Sequence, residues 1–413
     1  MHGHGLHVNG EIDGGPQSRI EPGETWQITI PVTQEAGTSW YHPHLMGKTA
    51  HHVHAGLAGL YLIEDEHSQA LDLPKEYGVN DIPLIVQDRS LSKGKMNDYS
   101  VTMEEIRNGL REDTIVANGT IGAYHSVPKG WIRLRLVNGS NARFYRFRLS
   151  NDGPFFKIAR EGGFLNHPVE MASIDMAPGE RNEIMIDLTS GSNATLVADL
   201  LPADPEDFNW WSLNTRRVDV LELRVDPSLP AQGSLTAKLN DIAYFDRTDA
   251  TRVRTISLEM EVRGANNRRE DREGRRDRDG RGERDGRGER FTSEQAPEAM
   301  ARMDRFAING RPMRMNYINE RIEKGKVEIW RITAERMPHP FHLHGASFQI
   351  LTHNGAAPAE ADRGWKDTVV VGRALTEVIV RFDHEANEKF PYMYHCHMFE
   401  HEEHVMMGQF TVE

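Results

Sequence analysis

Cysteine is almost missing from this chain of 413 residues, in which Cys396 is the only one. A single cysteine cannot form a disulfide within the chain, so a small scaffold held together by disulfides is excluded. Long apolar stretches are missing as well. No run of about 18 apolar residues occurs, which excludes a transmembrane helix.

Basic residues are outnumbered, because 49 Lys and Arg stand against 62 Asp and Glu and give a formal net charge of -13. Phosphate binding needs a basic face, so nucleic acid is not the expected partner. The N-terminus carries no recognisable export signal. It begins instead within a histidine motif at His2, where a chain end ordinarily frays. We therefore expect that residues are missing upstream, through a misplaced start or a fragment.

Long helical periodicity is scarce, whereas short apolar runs rich in β-branched and aromatic residues recur between turn signals. This pattern favours an all-β protein built of sandwiches or barrels over a doubly wound sheet. The predicted strands include residues 26–32, 59–64, 83–87, 131–137, 183–188, 218–225, 255–262, 327–332, 346–351 and 377–382.

Composition divides the chain into residues 1–75, a second β-rich block at 78–226, a linker at 227–250 and a third block at 251–413. The first block is short for a sandwich of about 100 residues, so we expect it to be incomplete.

One segment of the third block, residues 263–290, is of low complexity and contains 11 Arg against 8 acids. It lacks the apolar residues that a core needs, so we predict a disordered insertion. A basic arm that binds nucleic acid is the alternative, which the mixed charge disfavours.

Histidine is concentrated in four motifs, which hold ten of the twenty histidines. On a strand, residues i and i+2 point to the same face, so each His-x-His pair can present two imidazoles to a metal. One pair arises easily by chance, but four pairs at the two ends of the chain predict a metal cluster. The ten are His2, His4, His42, His44, His339, His342, His344, His395, His397 and His401.

The last motif predicts a second kind of site. Cys396 lies between His395 and His397 and faces the opposite side of the strand. It can therefore share a mononuclear site with His339 and His401, with Met406 reaching in ten residues later. Two imidazoles, a thiolate and a weak thioether are the ligands of a blue-copper electron-transfer site, whereas zinc would use other sets.

Ordinary explanations exist for single residues. A lone cysteine or methionine is most often part of a core, which applies to Cys396 and Met406 taken separately. The ten histidines outside the motifs are interpreted as surface or hydrogen-bonded core residues. They are His7, His51, His52, His54, His67, His125, His167, His353, His384 and His404.

Taken together, the motifs closely resemble those of the multicopper oxidases, in particular the bacterial three-domain copper efflux oxidase and laccase-like group. Further matching segments are residues 10–17, 73–88, 130–142 and 364–369. The resemblance implies three cupredoxin-like Greek-key β-sandwich domains, the first incomplete here, and four copper ions.

The resemblance also implies a role for each ligand. Type 1 copper would be held by His339, Cys396, His401 and axial Met406. Type 2 copper would be held by His2 and His342, and the two type 3 coppers by His4, His42 and His397 and by His44, His344 and His395.

By the same resemblance, electrons enter at Cys396, and Asp13 and Glu402 relay protons. An ordinary turn aspartate and a surface glutamate are the alternatives. Glu335 and Met337 match a substrate copper site, to which Met300, Met303 and Asp304 could add. The alternative is that the two methionines pack in a core.

Two positions depart from the family pattern. Gly3 replaces the usual tryptophan of the first motif, and the insertion at 263–290 has none of the methionines of a Cu(I)-gathering segment.

The expected function is oxidation of Cu(I) or small phenolic compounds coupled to reduction of O2 to water. Bilirubin-like pigments or Mn(II) are alternative substrates, and a non-enzymatic copper-binding cupredoxin protein or inactive fragment is the alternative of another class. The resemblance implies a periplasmic or extracellular location, and nothing in the chain indicates its oligomeric state.

Overall fold

The computed structural model of the protein describes residues 1–200, 216–262, 289–292, 294–296 and 304–413. β-strands dominate these residues, and their α-helices have only four to six residues each. The prediction of an all-β fold is therefore confirmed. Residues 263–288 of the predicted disordered insertion lie outside the described residues, so that part stays a prediction.

The first part of the chain forms one antiparallel sheet with the strand order β1-β2-β3. His2 of the first strand pairs with His42 of the second, which brings the first two histidine motifs side by side. Short helices lie between and after the strands. The elements are β1 (His2–His4), α1 (Gly10–Asp13), β2 (Gly37–His42), α2 (Thr49–His54), β3 (Gly59–Ile63) and α3 (Glu66–Ala70).

The middle part is a sandwich of two sheets that enclose one apolar core. Its strands are β4 (Asp81–Arg89), β5 (Leu91–Ser92), β6 (Lys95–Met96), β7 (Thr114–Ala117), β8 (Ala123–Val127), β9 (Trp131–Asn138), β10 (Tyr145–Leu149), β11 (Phe155–Arg160), β12 (Gly163–Met171), β13 (Ile174–Met176), β14 (Arg181–Asp187), β15 (Ala194–Leu200) and β16 (Arg216–Val225), with helix α4 (Met103–Asn108) between β6 and β7. The sheet orders are β12-β11-β14-β9-β4-β7 and β13-β10-β15-β16-β8, and β5 and β6 pair separately.

The last part is a second sandwich, with sheet orders β18-β17-β20-β24-β22 and β19-β26-β25-β21-β23. Strands β21 and β25 carry the last two histidine motifs and are neighbours inside the second of these sheets. The elements are β17 (Ala250–Val262), β18 (Asp304–Ile308), β19 (Glu320–Ile322), β20 (Val327–Ala334), β21 (His339–Leu343), β22 (Phe348–His353), β23 (Thr368–Val371), β24 (Thr376–Arg381), β25 (Tyr392–Cys396), α5 (Phe399–Glu403) and β26 (Met407–Val412).

The predicted linker at 227–250 runs without a strand until β17 begins at Ala250, apart from 3₁₀ turn Arg247–Asp249. It is not detached, because Leu239 is fully buried in a cluster with Ala36 and Phe164. The exact domain boundaries stay a prediction.

Of the ten predicted strands, nine overlap observed strands, eight of them to within two residues and 255–262 as the last part of the longer β17, but the one at residues 26–32 is wrong. The alternation of polar and apolar residues is present there, and Val32 is left exposed. A strand needs a neighbour that takes up its backbone hydrogen bonds. In the described part of the chain, no strand pairs with this segment.

The first sheet and the last sandwich share one apolar core, in which Trp40 of β2 lies in the same cluster as Phe341 of β21 and Tyr394 of β25. This shared core fixes the histidine motifs of the two chain ends against each other. Among the residues that the structure describes, no helix is long and apolar enough to span a membrane.

Candidate metal centre

The mononuclear cluster consists of His339 at the start of β21, Cys396 at the end of β25 and His401 in α5. His339 Nδ1 lies 3.4 Å from Cys396 Sγ, and His401 Nδ1 lies 3.5 Å from the same sulfur. The two Nδ1 atoms are 3.2 Å apart. All three side chains are fully buried, so one small ion would contact all three atoms away from bulk water.

Met406 returns to this cluster through a tight turn. The amide of Cys396 donates to the carbonyl of Met406, and the amide of Met406 donates to the carbonyl of His401. The turn holds Val405 at a φ of 70°, which a β-branched residue rarely adopts. Such strain is retained where the surrounding structure requires it, often at functional sites.

The chemistry of the three donors fits a cation. Burial raises the pKa of the Cys396 thiol, so without a positive charge the sulfur stays protonated. Burial lowers the pKa of His339 to about 4 and that of His401 well below its usual range. Two neutral imidazoles and one sulfur therefore face a common point, and a soft cation there would convert the thiol into a thiolate.

The histidine cluster consists of the other eight motif histidines, which come from β1, β2 with the following turn, β21 with the following turn, and β25 with the residue after it. His342 pairs with His395 across the sheet, as His2 pairs with His42. The eight side chains are at most 2% exposed. They are His2, His4, His42, His44, His342, His344, His395 and His397.

The predicted trio of His44, His344 and His395 is brought together most closely. Nε2 of His395 lies 3.3 Å from Nε2 of His44 and 3.2 Å from Nε2 of His344. Three ring nitrogens thus meet at one point, which is the arrangement of a metal site with three imidazole ligands.

The second predicted trio is brought together in part. Nδ1 of His4 lies 3.2 Å from Nε2 of His397. The ring of His42 lies 5.4 Å, centre to centre, from the ring of His397. The predicted pair of His2 and His342 has ring centres 5.7 Å apart. One nitrogen from each of these two rings and one from His344 lie within 4.8 Å of one another.

Hydrogen-bond acceptors behind the rings determine which nitrogens face inward. In four rings, Nδ1 donates to a backbone carbonyl. The pairs are His2 with Asp13, His42 with Pro43, His342 with Asp367 and His395 with Cys396. A neutral imidazole that donates from Nδ1 keeps its lone pair on Nε2. Nε2 of His2, His42 and His342 has no hydrogen-bond partner in the described structure. These buried, unpartnered lone pairs fit metal ions.

Asp13, a predicted relay residue, lies at this cluster. Its Oδ2 accepts a hydrogen bond from Nδ1 of His344 at 2.8 Å and lies 3.5 Å from Nδ1 of His2. Burial opposes its ionisation, but His344 and His2 outweigh burial and lower the pKa of Asp13. An ionised Asp13 therefore fixes the tautomer and orientation of His344.

Glu402, the other predicted relay residue, lies beside two rings of the trio formed by His44, His344 and His395. Its two carboxyl oxygens lie 3.5 Å from Nδ1 of His44 and 3.4 Å from Nδ1 of His395. Burial, with Glu403 and Glu400 nearby, raises its pKa well above the usual range. This shift favours the protonated form of Glu402.

Asp367 was not singled out from the sequence, although it lies in one of the matching segments, residues 364–369. Its Oδ1 accepts from Nε2 of His4 at 3.1 Å, and its carboxylate forms two hydrogen bonds with Arg181 of β14, of 2.7 and 2.5 Å. Burial opposes ionisation, but Arg181 and His4 lower the pKa of Asp367 well below its usual range. This buried pair links the middle sandwich to the histidine cluster.

Glu400 was missed as well. It accepts hydrogen bonds from the Leu110 amide at 3.1 Å, from the Tyr99 hydroxyl at 3.3 Å and from Asn141. Burial raises its pKa to about 7. Glu400 thereby holds residues 99–110, which we name the strap, against the last sandwich.

The strap covers the mononuclear cluster. Nε2 of His401 donates to the carbonyl of Arg107 at 3.0 Å, which leaves Nδ1 as the inward-facing lone pair. Helix α4 within the strap buries Met103 and Ile106 in the core that contains Cys396. No local signal in residues 99–110 predicts this contact, because its partner is about 290 residues away.

The predicted substrate copper site lies just before β21 and is described only in part. Glu335 is exposed, whereas Met337 is buried in the shared core. Met300 and Met303 lie outside the described residues. The role of Glu335 and Met337 stays a prediction.

Comparison with known proteins gives a consistent result. Two multicopper oxidase family models match, one over residues 1–68 and one over residues 290–413. The cell division protein FtsP of Proteus mirabilis is 34% identical over 99% of this chain and 77% of its own length.

Solved structures agree with the sequence comparisons. The laccase-like multicopper oxidase CueO from Ochrobactrum sp. has 32% identity and a TM-score of 0.83, over 100% of this chain and 84% of that one. The multicopper oxidase McoA from Aquifex aeolicus has 30% identity and a TM-score of 0.76, also over 100% and 84%.

The buried histidines predict how the stability of the metal-free protein depends on pH. Their folded-state pKa values are lowered, to about 4 for His339 and about 3 for His344. Below an unfolded pKa of about 6.5 the unfolded chain binds more protons than the folded chain. The free energy of unfolding therefore decreases as the pH is lowered, by up to about 1.4 kcal/mol per pH unit for each histidine. Urea unfolding of metal-free protein at pH 7.5, 6.5 and 5.5 measures the slope, and an unchanged free energy of unfolding over this range would contradict it.

Replacing Asp367 tests the link to Arg181. The variant Asp367→Asn leaves a buried guanidinium without its counter-charge, and we expect the free energy of unfolding to fall by about 3 kcal/mol. Urea unfolding at pH 7.5 is the measurement. Asp383→Asn is the matched control, because Asp383 pairs with Arg381 at the surface and should change the midpoint little. Equal midpoints for the two variants would show that the link contributes nothing.

Proposed function

Because the chain belongs to the multicopper oxidase family, we propose that it is an oxidase. It takes single electrons from a substrate at the mononuclear cluster and uses them to reduce O2 at the histidine cluster. The observation that carries the proposal is the position of Cys396. Its sulfur belongs to the mononuclear cluster, while its chain neighbours His395 and His397 belong to the histidine cluster. The two clusters are thus joined by a few covalent bonds.

Four copper ions are proposed, and the inward-facing nitrogens support this number. His339, Cys396 and His401 with Met406 would hold type 1 copper, and His2 and His342 would hold type 2 copper. His4, His42 and His397 would hold one type 3 copper, and His44, His344 and His395 the other. When bound, copper would supply one-electron acceptance at the first site and four-electron reduction of O2 to water at the others.

The chain's own residues provide protons and orientation. The raised pKa of Glu402 favours its protonated form, and the carboxyl group lies beside His44 and His395, so it can release a proton towards the cluster and be reprotonated. Asp13 is ionised and holds His344. We therefore assign proton delivery to Glu402, with Asp13 positioning the ring and contributing to the relay from the other side.

The strap bears on the choice of substrate. The outward nitrogen of His401 is occupied by the carbonyl of Arg107, so a phenol cannot contact this ring directly. A small donor that reaches the cluster without displacing the strap is favoured, which supports Cu(I) over phenols. A periplasmic location, as implied by the resemblance to copper efflux oxidases, accompanies this proposal.

A second candidate is a role in cell division without turnover. Its support is the similarity to proteins named cell division protein FtsP, which extends over nearly the whole chain. The complete set of buried ligands favours the oxidase, since a structural protein has no need for lone pairs that face one another in its interior.

Copper content tests the oxidase. We expect about four copper ions per chain after reconstitution, a blue absorption band, and O2 consumption that is faster with Cu(I) than with 2,6-dimethoxyphenol. Cys396→Ser should remove the blue band and the O2 consumption because the thiolate is lost. His125→Gln is the control, as His125 bonds the backbone of Gly78 at the surface, outside both clusters.

Other outcomes separate the candidates. Four copper ions with no O2 consumption from any donor would favour the non-enzymatic role. One copper ion with a blue band would mean that this chain accepts electrons but does not complete the histidine cluster. A chain that binds no copper would contradict the oxidase.

Replacing Glu402 tests proton delivery. In Glu402→Gln we expect anaerobic reduction of the blue band at the normal rate and O2 consumption about 100-fold slower, because the proton donor is lost. Stopped-flow absorbance and an oxygen electrode measure the two rates. Glu403→Gln is the matched control, since Glu403 is also buried but accepts from the amide of Ala50. Normal O2 consumption in Glu402→Gln would refute the assignment.

A further inference from the structure

A cleft of about 520 Å³ lies between the middle and the last sandwich, and none of the eight histidines of the histidine cluster lines it. This volume suits a small organic molecule. Much of its wall is apolar, and both sandwiches contribute to it. The apolar lining residues include Phe144, Met171, Ile174, Pro338, Val369 and Val370.

One end of the cleft is charged, and two of its three cations make the close contacts with the acids there. Lys366 Nζ contacts Glu161 at 2.9 Å and Glu180 at 3.0 Å. Arg160 forms an ion pair with Asp362 and lies within 3.7 Å of Glu161 and Glu180. Lys366 is thus supplied with carboxylate acceptors and Arg160 with counter-charges, although Arg160 Nε has no hydrogen-bond partner in the described structure.

Lys157 is the third cation and lacks such a partner. Its side chain is 2% exposed and lines the cleft, and the nearest carboxylate oxygen, of Asp362, lies 3.9 Å from Nζ. In the described structure it donates no hydrogen bond. A buried amino group without an acceptor is costly, and a ligand oxygen in the cleft would supply one.

The groups around Lys157 disfavour its charge while the cleft lacks an anion. Burial lowers the pKa of Lys157 well below its usual range, and Arg160 and Lys366 act in the same direction, whereas Asp362 and Glu161 oppose them. His353 also lines the cleft, and burial lowers its pKa. An anion beside Nζ would reverse the balance, so its binding should draw a proton onto the amine.

We propose that this cleft binds a small, largely apolar molecule that carries one carboxylate, with Lys157 holding the carboxylate and the apolar wall holding the rest. An aromatic or alicyclic acid matches both parts. The bound molecule would lie behind the strand that supports the mononuclear cluster. Pro338 of the wall precedes His339, and Val370 pairs with Pro340. The site is therefore distinct from the strap side of that cluster.

Isothermal titration of the full chain with 2-naphthoate at pH 7 tests this site. Measurement in phosphate and in Tris, whose ionisation enthalpies differ, also gives the number of protons taken up. We expect binding with proton uptake, and in Lys157→Met at least tenfold weaker binding, or about 1.4 kcal/mol, with no proton uptake. Lys129→Met is the matched control, because Lys129 is exposed on the same sandwich and should bind as the native chain does.

A second variant guards against a folding defect in the first. Ala374 lines the cleft and is exposed, so Ala374→Trp should narrow the cleft without disturbing the core and weaken 2-naphthoate binding. Uncharged 2-naphthylmethanol should bind the native chain and Lys157→Met equally. Equal affinity of 2-naphthoate for the native chain and Lys157→Met, or no binding of it to the native chain at millimolar concentration, would overturn the proposal.

Discussion

The position of the proton on each buried imidazole is the constraint on which both clusters depend. A ring whose one nitrogen donates outward to an acceptor keeps the lone pair of its other nitrogen facing inward. Backbone carbonyls, the carboxylates of Asp13 and Asp367, and the carbonyl of Arg107 are these acceptors. Burial then keeps the rings neutral by lowering their pKa values. Several lone pairs converge as a result, and a cation is the species that relieves their mutual repulsion.

The acceptors come from every part of the chain, which explains why the clusters need the whole fold. Asp367 belongs to the last sandwich, yet Arg181 of the middle sandwich keeps it ionised and in place. The strap also comes from the middle sandwich, and Glu400 of the last one anchors it over His401. The first sheet supplies His2, His4 and His42 from β1 and β2, and His44 follows directly after β2. No single sandwich contains a complete histidine cluster.

Alternation along one strand explains how two chemically different sites can be so close. Cys396 points away from the face on which its two histidine neighbours lie, so a soft mononuclear site and an all-nitrogen cluster share a single strand end. The proposed carboxylate cleft adds a third site next to the same sheet. A ligand there would contact β23, the neighbour of β21, and β21 carries His339 of the mononuclear cluster.

The sequence by itself determined what depends on local periodicity. The spacing of two between histidines predicts pairs on one face, and the Cys396 motif separates the two sites, because strand geometry is the same in every fold. Nine of the ten predicted strands follow from the same periodicity. Residues 26–32 show its limit, since alternation marks a segment able to form a strand and does not provide the neighbouring strand it must pair with.

Only the tertiary structure decided which carboxylates and carbonyls lie behind the rings. Asp367 meets His4 across 363 positions, and Glu400 meets Leu110 across 290. The lack of a hydrogen-bond acceptor at Lys157 likewise depends on Lys366 and Arg160, which make the closer contacts with the nearby acids. Such contacts arise because whole sandwiches dock against each other through many apolar contacts. No short sequence motif is therefore sufficient to predict them.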